Sequence, residues 1–422
     1  MTSNVQPVTG GSAPTPTSLT TSTRIIGLDG ARGLSCLGVA VMHITGHFSP
    51  HTAATWKTNA FGLTLIFFYV LSGFLLFLPY VRNLLAERQS AELPSTKNFA
   101  VHRIARILPG YLFIFLVCNF VLQVAFVENP ALQPAGTDSG TGMITDPWQL
   151  IANLTLVHSY IPEYFQTGLN PSWSLTLEYA FYTSLPLLGL LMFAARRRTS
   201  LRPFTIALIA SGILVLIGVV SRLFVPLVIA KSGVTDPVLI EWGPNWAAVY
   251  LRSFLVNADN FAVGMLAAVA FVAMERRAIS DSLSRRVRML SAVGTIGAIV
   301  IAGLLIPGRN PFATAAIGLG CGLLILIIVA PLARGEVSAL ASILDTKPLR
   351  FIGLISLSVY LWHFPLMLVL YRWDLIAGDT VPGMLQNVVV VMAFTVVVSI
   401  VTYYLVERPV MNAAKRYRSK WS

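Results

Sequence analysis

Arg32, His43, Arg103, Arg106 and Glu178 are the side chains that could do chemistry here, because each is ionisable and lies in or beside a strongly apolar run. The stretch LDGARGLSCLGVAVMH, residues 28–43, sets Asp29 and Arg32 at the start of one such run and His43 inside it. An ionisable group at membrane depth is costly, so it usually faces a protein interior or a wet cavity and marks a working site. Eleven residues separate Arg32 from His43, close to three helical turns and ~16 Å of rise. Both side chains therefore leave the helix in nearly the same direction. One helix face thus offers a fixed cation at its start and an imidazole deep inside, a candidate general base. A buried histidine bonded to a neighbouring carbonyl is the structural alternative for His43. His47 and His51 continue the spacing as a metal row would, but no acidic or thiol partner stands near them, so no metal is expected.

The second carboxylate-bearing motif is NPSWSLTLEYAFY, residues 170–182, where Asn170 and Pro171 open a helix, Trp173 suits an interface and Glu178 lies in the apolar part. A lone intramembrane carboxylate needs a partner, and His43 at a similar depth is the expected one, with Glu178 orienting its imidazole. Capping of a helix break is the other reading of Glu178. In HRIARILPGY, Arg103 and Arg106 are three apart and share a helix face, as a phosphate-binding fork would require. Ordinary positive charge at a membrane surface is the alternative. Ser72-Gly73 interrupts the aromatic run FFYVLSGFLLFLPY, where glycine allows close approach of a backbone or ligand. ISLSVYLWHFPLM brings Tyr360 and His363 just ahead of Pro365, which is expected to break the helix and open a pocket. Ser72, Asn170, Trp173, Tyr360 and His363 are the candidate substrate-binding residues. Glu407 and Arg408 of VERPVM read as a structural anchor.

The elements that must position these groups are membrane helices. Hydrophobic residues make up 55% of 422 positions and charged residues 11%, against about 25% charged in soluble domains. Apolar runs of spanning length fall near 33–49, 61–81, 107–127, 173–195, 204–226, 255–274, 288–306, 312–332, 351–371 and 383–406. The expected fold is all-α and polytopic, with about ten transmembrane helices. Residues 24–412 form its membrane domain, between a disordered tail over 1–23 and a basic tail over 413–422. With both termini cytoplasmic, only Lys57, Arg222, Lys231, Arg252, Arg309 and Arg372 of the 30 Lys and Arg fall on the outer face, which is the positive-inside asymmetry. The net charge of +12 then reflects anionic lipid headgroups and needs no nucleic-acid partner. Cys36, Cys118 and Cys321 sit in separate spans and form neither a disulfide framework nor a metal spacing. The 45 residues of 128–172 form the longest outer segment. Its turn-rich first part reads as mobile, and WQLIANLTLVHSY is too short to span and could roof a cavity. No internal repeat of the transporter kind is evident.

Taken in order, LDGARG…MH, FFYVLSGFLL, RIARILPGY, WSLTLEYAFY, SVYLWHFPL and VERP resemble the acyltransferase-3 family of integral membrane O-acyltransferases, over about residues 24–412. The resemblance implies that His43 is catalytic, with Glu178, and that Arg32, Arg103 and Arg106 bind the donor. The family's fourth-span pattern has two acidic residues followed by Gln; here Tyr179 and Ala180 fill the last two places, so only Glu178 can carry that role. It further implies an acyl-CoA co-substrate, with acetyl-CoA expected, no bound cofactor, and a carbohydrate, glycolipid or other exported hydroxyl acceptor in a bacterial inner membrane. A proton-coupled transporter would also explain a buried His and Glu but not a phosphate-binding face, and a non-catalytic export subunit would be indifferent to loss of His43. Acyl chain length and oligomeric state are left open by the sequence.

Overall fold

The computed structural model describes residues 24–419, so the tail expected over 1–23 lies outside the described residues. The chain opens with α1 (Leu28–Phe48) and the short α2 (Pro50–Trp56), and a 3-10 turn then leads into α3 (Leu65–Leu84). Helix α4 (Thr96–Leu116) runs on through a π turn, and a two-stranded antiparallel ribbon follows, β1 (Ala125–Phe126) with β2 (Thr141–Gly142). Next come α5 (Pro147–Leu154), α6 (Trp173–Arg198), α7 (Pro203–Ser232), α8 (Pro237–Trp242), α9 (Trp246–Leu251) and α10 (Phe254–Glu275). Helices α11 (Asp281–Leu305), α12 (Ala313–Val329), α13 (Ala339–Leu344), α14 (Lys347–Leu354) and α15 (Ser356–Arg372) precede α16 (Val381–Thr402). A π turn over Tyr403–Glu407 joins α16 to α17 (Arg408–Ser419).

A helix lies in each of the ten segments read as spans. Among the described residues, eight helices are long and apolar enough to cross a membrane, or nine if α14 and α15, bent by 73° at their junction, make one span. Helix α1 is 21 residues long, but with Arg32, His43 and His47 it has no stretch of spanning length as apolar as those of the eight. The break in the ninth segment differs from expectation. It falls at Leu354–Ser356, and α15 runs unbroken through Pro365. A proline costs one backbone hydrogen bond, and the fully buried residues around Pro365 hold that turn in place. Helix α4 starts at Thr96, so Arg103 and Arg106 lie within it rather than ahead of it.

Two apolar cores flank α1. One joins α3, α6, α7, α10 and α12, and the other joins α4, α15 and α16; α1 adds Leu28 and Ala31 to the first and Cys36, Val39 and Ile44 to the second. Close backbone crossings fix the helices that carry the site. A Cβ on Gly73 would lie 2.0 Å from the Phe261 carbonyl oxygen of α10, and one on Gly264 would lie 1.9 Å from that of Val70. Glycine on both sides lets α3 and α10 touch backbone to backbone. Gly33 and Gly353 do the same for α1 and α14.

Arg222, which the sequence places among outer-face charges, is instead buried between α7 and α10 in a two-pronged pair with Asp259, at 2.8 and 2.9 Å. At the far end of the bundle from Arg32, residues 122–170 form a cap. Its first part, expected to be mobile, is tied down: Asn119 Oδ1 accepts from the Ile144 N–H at 2.7 Å, and Arg372 pairs with Asp138 at 2.6 Å. His47 Nε2 lies 2.9 Å from the Thr137 carbonyl oxygen, which ties the cap to α1 as well.

Candidate active site

A cavity of about 120 Å³ lies between α1, α3, α4, α6 and α15. Arg32 of α1, Arg103 and Arg106 of α4, and Glu178 and Tyr182 of α6 line it. Ser72 and Tyr69 of α3 face it from one side, and Tyr360 and Ser174 close its inner end. The crossings at Gly73 and Gly33 bring α3 and α1 close enough for these side chains to share one space. Arg32 is held in place by its own helix and by α14: it donates to Asp29 Oδ1 at 3.0 Å and to the Gly353 carbonyl at 2.6 Å. That carbonyl is free to accept because α14 ends at the bend. Arg106 lies 3.9 Å from Glu407, whose carboxylate is fully buried and also accepts from Ser358. The π turn at Tyr403–Glu407 turns this carboxylate into the interior. Arg103 stands over the Tyr182 ring, 6.0 Å from its centre.

Beyond the inner end of the cavity lie two histidines. His43 Nδ1 is 2.9 Å from His363 Nε2, and the two rings meet edge to edge, nearly coplanar, with centres 5.1 Å apart and planes inclined by 19°. His363 Nδ1 is 3.2 Å from the Val359 carbonyl oxygen one turn back on α15. The Phe364 ring meets His43 edge-on at 5.3 Å. Tyr360 separates this pair from the cavity: its ring centre is 5.9 Å from that of His363, and its hydroxyl bonds Ser174 Oγ at 2.7 Å and donates to the Pro171 carbonyl at 3.0 Å. His363 is fully buried and His43 half-buried.

Several expected roles change on this geometry. Glu178 does not orient His43; it accepts a hydrogen bond from Tyr182 and sits among the three arginines. The two groups leave different helices at different depths, and His363 takes the place beside His43. His363 has both ring nitrogens engaged within the protein, so it offers no free polar atom to a substrate. Asn170 donates to Gln166 Oε1 at 2.7 Å in the cap, and Trp173 packs against Trp242 with Arg252 above it. Neither lines the cavity. Ser72 and Tyr360 do, as do Arg32, Arg103 and Arg106, so those five are brought together with Glu178.

Three groups at the site escaped the sequence reading, and Glu407, read there as a structural anchor, is the carboxylate beside Arg106. Tyr182 stands four residues after Glu178, a spacing that puts the two on one helix face, and this signal was available. Tyr69 lies inside an aromatic run and reads as core, yet its buried hydroxyl has no hydrogen-bond partner. Ser174 and Glu407 acquire their roles only through partners on α15 and α4, 186 and about 300 residues away.

Comparison with known proteins bears on this arrangement. Residues 25–404 match the family described as acyltransferase domain, acyltransferase-3. The peptidoglycan O-acetyltransferase OatA of Listeria monocytogenes is 25% identical over 349 residues, which cover 81% of this chain and 49% of that protein. The O-acetyltransferase OatA of Staphylococcus aureus is 23% identical over 347 residues, 81% of this chain and 50% of that protein. The chain thus spans about half the length of these curated relatives. No solved structure matches it.

Proposed function

The chain belongs to the acyltransferase-3 family, and from that premise we propose that it is a membrane O-acyltransferase using acyl-CoA, expected to be acetyl-CoA, to modify a hydroxyl of a cell-envelope carbohydrate or glycolipid. The observation that carries the reading is the placement along α1 of a cavity lined by three arginines and, about three turns further on, an imidazole held by a second imidazole. Guanidinium forks suit the phosphates of a nucleotide-like donor. A neutral imidazole with a free ring nitrogen suits proton removal from an acceptor hydroxyl.

In the proposed step the donor's phosphates sit among Arg32, Arg103 and Arg106, and its pantetheine arm passes Tyr360 to bring the thioester carbonyl to His43. His43 takes the hydroxyl proton as the oxygen attacks that carbonyl. The carbon–sulfur bond then breaks, and the imidazolium returns the proton to the departing CoA thiolate. No covalent enzyme intermediate is needed, and Cys36, the cysteine on α1, is buried with its thiol on the Ser356 carbonyl. Closing the path between helices limits loss of the thioester to water. The relatives named as peptidoglycan O-acetyltransferases favour a wall carbohydrate as acceptor. The distribution of Lys and Arg favours a bacterial inner-membrane orientation with the arginine end cytoplasmic.

The test uses inside-out membrane vesicles supplied with radiolabelled acetyl-CoA, comparing the native chain with His43→Ala at equal abundance. Label entering a carbohydrate or lipid fraction only with the native chain is the expected result. Equal labelling by both forms would remove His43 from the chemistry.

A further inference from the structure

We infer that His363 is a positioning residue that fixes His43 in the one neutral tautomer able to act as a base, a role that rests on the reaction proposed above. The inference follows from counting protons along a three-member chain. The Val359 carbonyl oxygen can only accept, so His363 Nδ1, 3.2 Å away, carries a hydrogen and donates it. A neutral imidazole has one N–H, so His363 Nε2 presents a lone pair. His43 Nδ1, 2.9 Å from that lone pair, must then be the donor. His43 Nε2 is left bare, on the side of the ring away from His363, and is the atom that accepts a proton. The carbonyl anchor is a backbone group of α15, so the chain has a fixed direction and does not depend on a second mobile side chain.

Three further features support this assignment. His363 is fully buried with no free polar atom, which leaves it nothing to bind with. The rings lie within 19° of one plane, so the nitrogens face each other along the hydrogen bond, and Phe364 packs at 72° to His43, which leaves the imidazole little freedom to rotate. The carboxylate that would otherwise orient the imidazole, Glu178, is occupied by Tyr182. An imidazole here does by neutral hydrogen bonding what a carboxylate does elsewhere, which avoids burying a second charge at that depth.

Two variants and one spectroscopic readout test the assignment. His363→Gln keeps an oxygen to accept from His43 and an amide to donate to Val359, whereas His363→Phe keeps ring bulk and loses both. The full chain in lipid nanodiscs, with histidine ring nitrogens labelled with 15N, reports which nitrogen of His43 is protonated; the His43→Ala spectrum assigns the signal. The expected result is a protonated δ1 and bare ε2 nitrogen in the native chain and in His363→Gln, and a mixture of tautomers in His363→Phe. In acetyl-CoA turnover, His363→Phe should lose ~100-fold in kcat with KM for acetyl-CoA within ~3-fold, and His363→Gln should recover to within ~10-fold of native. A bare δ1 nitrogen at His43 in the native chain would overturn the inference, as would an unaltered His43 signal in a folded His363→Phe. If His363→Phe does not fold, the native and Gln spectra still decide. Absence of transfer by the native chain would instead defeat the proposed reaction, and the nitrogen signals would continue to report on the tautomer.

Discussion

Arg103 and Arg106 stand one turn apart on α4 and line the same cavity, yet their replacement should read out differently. Arg106 faces the buried carboxylate of Glu407, whose Oε2 has no hydrogen-bond partner. Arg106→Ala strands that carboxylate with Ser358 alone, and a stranded buried charge costs several kcal/mol. We expect Arg106→Ala to lower the thermal midpoint of the purified protein, and Glu407→Gln added to it to restore the midpoint without restoring CoA affinity. Arg103 stands over the Tyr182 ring and beside Glu178, a carboxylate that keeps Arg106 and Arg32 as partners when Arg103 is lost, so Arg103→Ala should lower the midpoint less than Arg106→Ala while weakening CoA binding ~10-fold; isothermal titration and scanning fluorimetry separate the two effects. Glu178→Gln provides a third contrast. Because Glu178 bonds Tyr182 within the arginine cluster, its loss should move KM for acetyl-CoA more than kcat. A fall in kcat alone would return Glu178 to the role of orienting His43.

Among the elements, the α3–α10 crossing has little room for change. Gly73→Leu drives a branched side chain into the Phe261 carbonyl, and the expected outcome is loss of the monodisperse peak in detergent size-exclusion chromatography. Gly212, with open space around the same added Cβ, should accept leucine without such loss. The cap carries a pH signature. His158 is fully buried with Nε2 3.2 Å from Ser172 Oγ, and burial pushes its pKa down to about 4. The unfolded chain takes up this proton near 6.5. Between the two values the unfolded cap binds more protons, so cap stability is complete above pH 6.5 and declines as the pH falls toward 4. Proteolysis within 128–172 should therefore quicken as pH drops from 7 to 5, and His158→Phe should flatten that dependence.

The helices were legible in the sequence because each apolar run carries its own signal, and Arg32, Arg103, Arg106 and Glu178 were legible because a charge in such a run is anomalous by itself. The partnerships were not. His363 was read as a substrate contact, and only a contact spanning 320 residues shows that it belongs to His43. Pro365 looked like the break in its helix, but the bend falls at Ile355, where nothing local in the sequence marks it. Asn170 and Trp173 have the chemistry of a binding site and are used for packing, a choice made by neighbours in the cap and α8.

On the scale of the whole molecule, the uneven distribution of Lys and Arg makes a claim about sidedness that can be read directly. Arg197→Cys and Asp138→Cys should react with an impermeant maleimide on opposite sides of sealed vesicles; labelling of both from one side would break the proposed topology, and exchanged labelling would invert it. The low apolarity of α1 has a consequence for how the chain is made. Each arginine or histidine that α1 carries into hydrocarbon opposes insertion, by about 2.5–3.5 kcal/mol for an arginine at mid-depth. The groups that satisfy them, the Gly353 carbonyl for Arg32 and His363 for His43, leave the ribosome some 320 residues later. Helix α1 must therefore wait at the edge of the bilayer, or shelter in the insertion machinery, until its last partners arrive. In chains arrested before α14, Cys36 of α1 should react with a water-soluble maleimide, and in chains released after α15, where it is buried, it should not, which makes completion of the site and completion of membrane assembly a single late event in translation.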